Sequence, residues 1–223
     1  MNLYPHHLFI IGDVHGCYHS FLRLLEAWNP ENEMLIQVGD LIDRGNFSPE
    51  CLILAKEIQE QHPGKSVFLR GNHEQLMIDF LLGKDREDIW LLNGGSGTLN
   101  RFKSLQQEPP EAWLPWLEGM PLKWENEHVL VSHAGVAFIP DPLDTHHPNG
   151  ILWNRKPLRD IGKLQVIGHT PQIKGKASFH KAPPHWKIDT GAYRDISLTG
   201  LKLNHKGEYV QEINIPTLPL DLE

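Results

Sequence analysis

Three short apolar runs in the first half of the chain end in the same way, at a glycine followed by a polar side chain. The runs are Leu8–Ile11, Met34–Val38 and Ser66–Leu69, and the residues that mark their ends are Gly12-Asp13, Gly39-Asp40 and Gly71-Asn72. Each run has the length of a buried strand. Because glycine lets the backbone turn tightly and approach a ligand closely, the pattern predicts strands that end at a binding crevice.

Segments with helical spacing alternate with these runs. They cover Ser20–Trp28, Pro49–Gln61 and Gln75–Leu82, and a further helical stretch over roughly Ser96–Leu117 is broken by Pro109-Pro110. The alternation predicts a sheet with crossover helices. The second half is richer in strands, with candidates at Val129–Ser132, Leu164–Ile167, Trp186–Ile188, Ile196–Leu203 and Tyr209–Ile213. We therefore expect one α/β domain over residues 1–223, with two facing sheets.

Two later segments repeat the strand-end pattern. SHAG (Ser132–Gly135) and GHT (Gly168–Thr170) follow apolar runs, as GDVHG, GDLIDRG and GNHE do earlier in the chain. Five strand ends would then deliver six polar residues to one place: Asp13, His15, Asp40, Asn72, His133 and His169. Mixed carboxylate, imidazole and amide ligands suit Mn²⁺, Fe or Zn²⁺ better than a calcium cage or a thiolate site.

The size of this ligand set favours two ions. Six ligands are too many for one catalytic ion that must keep open positions, whereas two ions about 3.5–4 Å apart, bridged by one carboxylate, would use them all. Such a pair lowers the pKa of a shared water and binds phosphoryl oxygens, which predicts hydrolysis of a phosphate ester. Taken singly, GDVHG could be a capped turn and GDLIDRG a surface ion-pair cluster; the order and placement of all five motifs favour the metal site.

The same five motifs, in this order, resemble the signature of the PPP-type metallophosphoesterases. The chain is most similar to the bacterial and phage lambda-type serine/threonine protein phosphatases, because WLLNGG (Trp90–Gly95), ILWNR (Ile151–Arg155) and IDTG (Ile188–Gly191) also match that group. The resemblance runs from about Leu8 to Leu203. It implies a metallophosphoesterase-type β-sandwich flanked by helices, with the metal site at the strand ends.

The resemblance also implies metal ligands. In the family pattern these are Asp13 and His15 for the first metal, Asp40 as the bridge, and Asn72, His133 and His169 for the second metal. Asn72 would also contact the substrate phosphate. The implied cofactors are two divalent ions, with Mn²⁺ the first choice and Fe or Zn²⁺ as the other candidates.

Four further residues match the family's catalytic and phosphate-binding groups. His73 corresponds to the general acid for the leaving alkoxide, Asp43 to the carboxylate that orients it, and Arg44 and Arg155 to the two phosphate clamps. A positioned imidazolium is worth roughly 10²–10⁴-fold when the leaving group is a strong base. A neighbouring carboxylate raises the pKa of an imidazole, and planar guanidinium forks suit a tetrahedral dianion. The plainer interpretations are a local ion pair for Asp43-Arg44 and a surface position for Arg155.

Three functions are compatible with these motifs. The first is a phosphomonoesterase that acts on phosphorylated serine and threonine in proteins and on small phosphate esters. The second is a symmetrical diadenosine tetraphosphate hydrolase, because such enzymes share this signature; their anhydride substrate has a better leaving group and needs His73 less. The third is a catalytically silent binding module, which would be expected to have lost ligands, whereas all six positions are filled here.

Composition limits the partners and the location. The formal net charge is -7, which gives no broad basic surface for nucleic acid or anionic lipid. The N-terminus lacks the basic and long apolar segments of a secretory signal, and the apolar runs are too short to span a bilayer. Two cysteines, Cys17 and Cys51, do not imply a disulfide framework. We expect a cytoplasmic protein with reduced thiols and no membrane partner.

Overall fold

The computed structural model describes residues 7–85, 88–105 and 108–223. Its first half alternates strands and helices: β1 (His7–Ile11), α1 (Tyr18–Leu25), β2 (Glu33–Gln37), α2 (Ser48–Gln61), β3 (Ser66–Phe68) and α3 (Asn72–Leu81). A short π-helical turn at Leu91–Gly95 leads into α4 (Ser96–Leu105), and a 3-10 turn at Pro110–Trp113 leads into α5 (Leu114–Gly119). The alternation of strand and helix that the sequence predicts for the first half is therefore observed.

The second half supplies most of the remaining strands. These are β4 (Lys123–Glu125), β5 (Val129–Ser132), β6 (Leu164–Ile167), β7 (Ser178–Lys181), β8 (Pro184–Lys187), β9 (Ser197–Asn204) and β10 (Tyr209–Pro216). Over the described residues they form two five-stranded sheets, in the orders β10-β9-β1-β2-β3 and β4-β5-β6-β8-β7. In the first sheet β1, β2 and β3 run parallel, so their carboxyl ends meet at one edge.

The two sheets pack face to face, and helices cover the outer face of the first. Side chains alternate along β1: Leu8 and Ile10 join a core that also contains Val131 and Val166 of the second sheet. Phe9 and Ile11 join a separate core with the helices. A parallel strand buried on both faces reads as a continuous apolar run, which is why the runs of the first half were visible in the sequence. The predicted β-sandwich flanked by helices is confirmed.

The structure differs from the sequence prediction at two edge strands and at the bounds of some elements. Strands β4 and β7 were not predicted, because both are short, polar strands at a sheet edge and carry no apolar run. Helix α1 begins earlier than expected because Asp221, far away in sequence, accepts hydrogen bonds from the backbone N–H groups of His19 and Ser20. The predicted stretch 96–117 is broken as expected, with α4 before Pro109-Pro110 and α5 after them, and its residues 106–107 lie outside the described ranges.

Candidate active site

Tight turns after the strands bring the motif side chains together. His15, Asp40 and His169 all have positive φ angles, of 48°, 59° and 64°. Few side chains adopt this left-handed conformation without support from their surroundings. The adjoining glycines allow very close approach: a Cβ on Gly168 would lie 2.0 Å from Asp13 Oδ1, and one on Gly71 would lie 2.2 Å from Asp40 Oδ1. A side chain at either position would collide with the neighbouring loop, so both positions require glycine.

Glu74 joins two of these turns from within GNHE. One of its carboxylate oxygens accepts hydrogen bonds from the backbone N–H of Asp40 and of Gly71, and the other accepts from Leu41, each at 2.8 Å. Glu74 is fully buried. It thus fixes the turn after β2 against the start of α3, which is where Asp40 and Asn72 are presented.

One group of ligand atoms lies between the two sheets. Asp40, His133 and His169 each offer an atom within 4.8 Å of the others. Asn72 belongs to the same group, because its Oδ1 lies 2.8 Å from His133 Nε2 and 2.9 Å from His169 Nδ1. His133 donates its Nδ1–H to the carbonyl of Val38, at 3.1 Å, so its Nε2 presents a lone pair to the group.

A second group shares Asp40 and lies towards the first sheet. It consists of Asp40, His15 and His73, again with ligand atoms within 4.8 Å of one another. His15 donates Nδ1–H to the carbonyl of Ile42 at 3.0 Å, and its Nε2 lies 3.5 Å from Asp40 Oδ2. Asp40 therefore stands between the two groups, as a bridging carboxylate would.

The chemistry of these atoms fits divalent cations. Burial lowers the pKa of His15 and His133 to about 3, and that of His169 to about 2, so all three imidazoles are neutral at neutral pH. The Nε2 lone pairs of His15 and His133 face the oxygens of Asp40 and Asn72, and acceptors that face one another repel unless a cation lies between them. Neutral imidazole and carboxylate are also the forms that bind metal.

Buried carboxylates add further negative charge. Burial, followed by the charges of Asp189 and Asp40, raises the pKa of Asp13 well above its usual value. Burial is also the main reason that the pKa values of Asp189 and Glu74 rise to about 7. Like charges crowded in a buried site oppose ionisation, and bound cations would relieve this repulsion.

Asp13 lies beside these groups and belongs to neither of them. Both of its carboxylate oxygens accept from the backbone N–H of His169, at 3.2 and 3.0 Å. This contact ties the turn after β1 to the turn after β6. The sequence prediction did not assign Asp189 to the site, although the IDTG segment that contains it was recognised; its burial next to Asp13 is visible only in three dimensions.

His73 has different surroundings from the other imidazoles. Its Nδ1 lies 2.7 Å from Asp43 Oδ2, and both side chains are buried. Asp43 also accepts hydrogen bonds from Trp90 Nε1 at 2.9 Å and from Thr98 Oγ1 at 2.6 Å. Burial by itself lowers the pKa of His73, but the charge of Asp40 and the hydrogen bond and charge of Asp43 outweigh it, so the pKa is raised. His73 Nε2 lies 3.5 Å from a guanidinium nitrogen of Arg44.

Arginines line the mouth of the cavity above these groups. The cavity has a volume of about 280 Å³, and its walls include His15, Asp40, Asn72, His73 and His169. Arg44 and Arg155 are exposed side chains of the same cavity, and Arg155 Nη1 lies 3.4 Å from Thr170 Oγ1. The sequence prediction omitted Trp153, Tyr193 and Arg194, which also line it. Nothing in the motifs marks the last two as site residues.

Comparison with known proteins assigns the fold to a family. A family model described as calcineurin-like phosphoesterase matches residues 6–202. The chain belongs to this family. It is therefore a metallophosphoesterase, and the family and fold class predicted from the motifs are confirmed. Members of the family use divalent metals, which agrees with the two groups of ligand atoms.

Individual members of the calcineurin-like phosphoesterase family differ in the substrates that their names state. The chain is 31% identical over 213 residues to serine/threonine-protein phosphatase 1 of Salmonella typhimurium, covering 86% of this chain and 90% of the relative. It is 32% identical over 135 residues to the symmetrical bis(5'-nucleosyl)-tetraphosphatase of Pasteurella multocida, covering 58% of this chain and 44% of the relative. A protein serine/threonine phosphatase structure from Saccharomyces cerevisiae matches with a TM-score of 0.66 at 16% identity, covering 97% of this chain and 82% of that chain.

Among the described residues, no helix has the length and the apolar character that a membrane span requires.

Proposed function

We propose that this phosphoesterase is a two-metal phosphomonoesterase that removes phosphate from serine and threonine side chains of proteins and from small phosphate esters. The observation that carries the proposal is the arrangement of one cavity: two groups of ligand atoms share Asp40, and the His73–Asp43 pair and two arginines lie beside them. The similarity to the Salmonella typhimurium phosphatase over 90% of its length supports the choice of protein substrate.

We assign the metal ligands by chemistry and position. Asn72, His133, His169 and Asp40 would hold one ion, and His15 and Asp40, with Asp13 from the adjoining turn, would hold the other. Divalent ions bound there would supply an activated water and polarise the phosphoryl oxygens. Mn²⁺ is our first choice, with Fe or Zn²⁺ as the other candidates for the same ligand types.

The protein's own side chains bind the phosphate and supply the proton. Arg44 and Arg155 reach the cavity from two different loops, so their planar forks would hold the non-bridging oxygens from two sides, with the Asn72 amide below them. His73 would donate a proton from Nε2 to the leaving oxygen, because Asp43 occupies Nδ1 and its carboxylate favours the protonated ring.

A second candidate is a dinucleoside polyphosphate hydrolase. The similarity to the Pasteurella multocida enzyme favours it, although that match spans 44% of the relative. The two candidates differ in how much they depend on His73, since an anhydride has a better leaving group than an alkyl ester. A catalytically silent module is the third candidate, and it is tested by metal content together with activity after addition of Mn²⁺.

The deciding experiment is an activity panel with Mn²⁺ added. The substrates are an aryl phosphate, matched phosphoserine, phosphothreonine and phosphotyrosine peptides, and diadenosine tetraphosphate. We expect metal-dependent hydrolysis of the aryl phosphate and of the phosphoserine and phosphothreonine peptides. A marked preference for the dinucleotide would replace the proposal by the second candidate. Protein that holds well under one transition-metal ion per chain and stays inactive with Mn²⁺ would support the silent module.

A further inference from the structure

A third arginine lines the cavity that holds the candidate phosphate clamps. Arg194 joins Arg44 and Arg155 in the wall of the same cavity of about 280 Å³. Over the part of the chain that the structure describes, none of these three guanidiniums has a carboxylate partner within 4.0 Å, whereas Arg23 and Arg101 both do. Unpaired guanidiniums that converge on a cavity are suited to bind an anion.

Tyr193 contacts two of these arginines. The guanidinium carbon of Arg44 lies 4.5 Å from the centre of the Tyr193 ring, and that of Arg194 lies 5.2 Å from it. Arg194 Nε also donates a hydrogen bond to Tyr193 Oη at 2.9 Å. The edge of the same ring packs against His15, with 4.8 Å between ring centres. Arg194 is thereby linked through Tyr193 to Arg44 and His15, which line the same cavity.

The residues directly before Tyr193 and Arg194 are fixed by hydrogen bonds. Asp189 Oδ1 accepts a hydrogen bond from Gly191 N at 2.9 Å, and the carbonyl of Ala192 accepts one from Thr217 Oγ1 at 2.7 Å. The residues flanking the short 3-10 turn Ala192–Arg194, Gly191 and Asp195, both adopt the left-handed conformation. A fixed loop loses little conformational entropy when it binds a ligand, so Arg194 is a pre-organised contact.

We propose that Arg194 and Tyr193 form a subsite for a second phosphate that the substrate carries next to the phosphate that is cleaved. The inference rests on the proposed function, because it takes the Arg44 and Arg155 cavity as the site of cleavage. Arg44, Arg155 and the two metal ions would bind the phosphate that is cleaved. Arg194 would then have no anion to bind unless the substrate carries a second phosphate. Since Arg44 and Arg194 share one aromatic ring, adjacent phosphates of a single substrate could each contact one of them.

Asp189 offers a different explanation for Arg194. The positive charge of Arg194 is one of the influences that lower the pKa of the buried Asp189, although burial dominates and raises it. If this were the only role of Arg194, its removal would lower kcat/KM for every substrate by the same factor. A subsite for a second phosphate instead requires a loss that depends on the substrate.

The test compares substrates with one and two phosphates. Arg194→Gln, Arg194→Lys and Tyr193→Phe are assayed as Mn²⁺-loaded full-length protein, with Arg23→Gln on α1 as the control for loss of an exposed arginine. The one-phosphate substrates are an aryl phosphate and a phosphoserine peptide. The two-phosphate probes are the same peptide with two neighbouring phosphoserines, and diadenosine tetraphosphate as substrate and as inhibitor of aryl phosphate hydrolysis.

We expect Arg194→Gln to lower kcat/KM, or raise the inhibition constant, by about tenfold more for a two-phosphate probe than for its one-phosphate counterpart. Arg194→Lys keeps the charge without the fork, so its extra loss on the two-phosphate probes should be smaller than that of Arg194→Gln. The extra loss for Tyr193→Phe should lie between that of Arg194→Lys and that of the wild type. The probe that shows the difference identifies the source of the second phosphate, a peptide or a polyphosphate chain.

Equal losses on all substrates, or no difference from Arg23→Gln, would overturn the subsite. The failure of the proposed function has a separate signature, since it would appear as a wild-type protein that does not hydrolyse aryl phosphate with Mn²⁺. Binding of diadenosine tetraphosphate, measured directly on the metal-loaded protein, gives a readout that does not depend on turnover. A loss of affinity in Arg194→Gln that is larger for diadenosine tetraphosphate than for inorganic phosphate would support the subsite even then.

Discussion

The two groups of ligand atoms on either side of Asp40 contain the same kinds of residue but differ in their histidines. On the side of the second sheet, burial lowers the pKa of His133 to about 3, and the hydrogen bond from its Nδ1 to the carbonyl of Val38 raises the pKa by too little to offset the burial. On the other side, His73 is also buried, but the charges of Asp40 and Asp43 raise its pKa. The two buried histidines thus differ in the partner of Nδ1, which is a backbone carbonyl for His133 and the Asp43 carboxylate for His73.

The anchoring atoms account for this difference. A carbonyl oxygen fixes the tautomer of His133 and of His15 and leaves a lone pair on Nε2. A buried carboxylate holds Nδ1 of His73 and stabilises the positive charge of the ring. The proposed function would therefore divide metal ligation and proton donation among imidazoles whose ligand atoms lie within 4.8 Å of Asp40.

Substitution of the residue shared by both groups should have the largest effect. Asp40→Asn removes the bridging charge, and we expect kcat/KM for aryl phosphate to fall on the order of 10³-fold or more. The metal content per chain, measured by elemental analysis after gel filtration, should fall for both ions. The exposed Asp160→Asn serves as the control. A variant that retained two ions would show that Asp40 is not the bridge.

Substitution of one histidine from each group should separate the two roles. We expect His73→Asn to retain metal and lose roughly 10²–10⁴-fold in kcat on alkyl phosphates, with smaller losses on aryl phosphates and on diadenosine tetraphosphate. His133→Asn should instead lose metal and activity on every substrate alike. Full activity of His73→Asn on a monoester would contradict the proton-donor assignment.

Removal of metal should make the stability of the folded protein depend on pH through its buried carboxylates. In the folded chain the pKa values of Asp189 and Glu74 are raised to about 7, above those of the unfolded chain. Their protonated forms favour folding, so this contribution is complete below the unfolded pKa values and is lost as the pH rises through the folded ones. The melting temperature of EDTA-treated protein should fall between about pH 5 and about pH 8, by at least ~4 °C.

The control for this pH effect is the metal-loaded protein. Bound cations stabilise the ionised carboxylates, so the difference in melting temperature between loaded and metal-free protein should widen as the pH rises. Parallel curves for the two forms would show that the carboxylates do not face the metals.

The sequence was most informative where each strand end carries its own ligand. Parallel strands bring their carboxyl ends to one edge of a sheet, so the sequence alone predicts that GDVHG and GDLIDRG lie close together. The contact between Asp13 and the backbone of His169 could not be predicted, because it depends on how the two sheets pack. The ligand roles themselves stay predictions until metal is measured.

Other features of the site and the fold could not be predicted from the sequence, because they depend on contacts between distant residues. Tyr193 and Arg194 follow IDTG without a recognisable spacing, and the contact of Tyr193 with the guanidinium of Arg44 joins two different loops. The start of α1 depends on Asp221, about two hundred residues away in sequence. Local patterns predict strands and their ends, whereas contacts between distant loops require the packed structure.

The smallest expected effect concerns the support of Asp43. Its Oδ2 accepts from both His73 and Trp90, while Oδ1 accepts from Thr98 Oγ1 at 2.6 Å. Thr98→Val keeps the shape and removes that donor, so the carboxylate loses the contact that fixes its rotation. We expect a loss of roughly 1–2 kcal/mol in the free energy of unfolding and about a threefold to tenfold fall in kcat.

Leaving-group dependence distinguishes this effect from general destabilisation. Since Thr98 acts through Asp43 and His73, the fall in kcat for Thr98→Val should be larger for an alkyl than for an aryl phosphate, with KM and metal content little changed. Thr98→Ser keeps the hydroxyl and should restore most of kcat. If Thr98→Val lowered kcat equally for both leaving groups, the hydrogen bond would support the fold without positioning the proton donor, and the two sides of Asp40 would differ only in His73 itself.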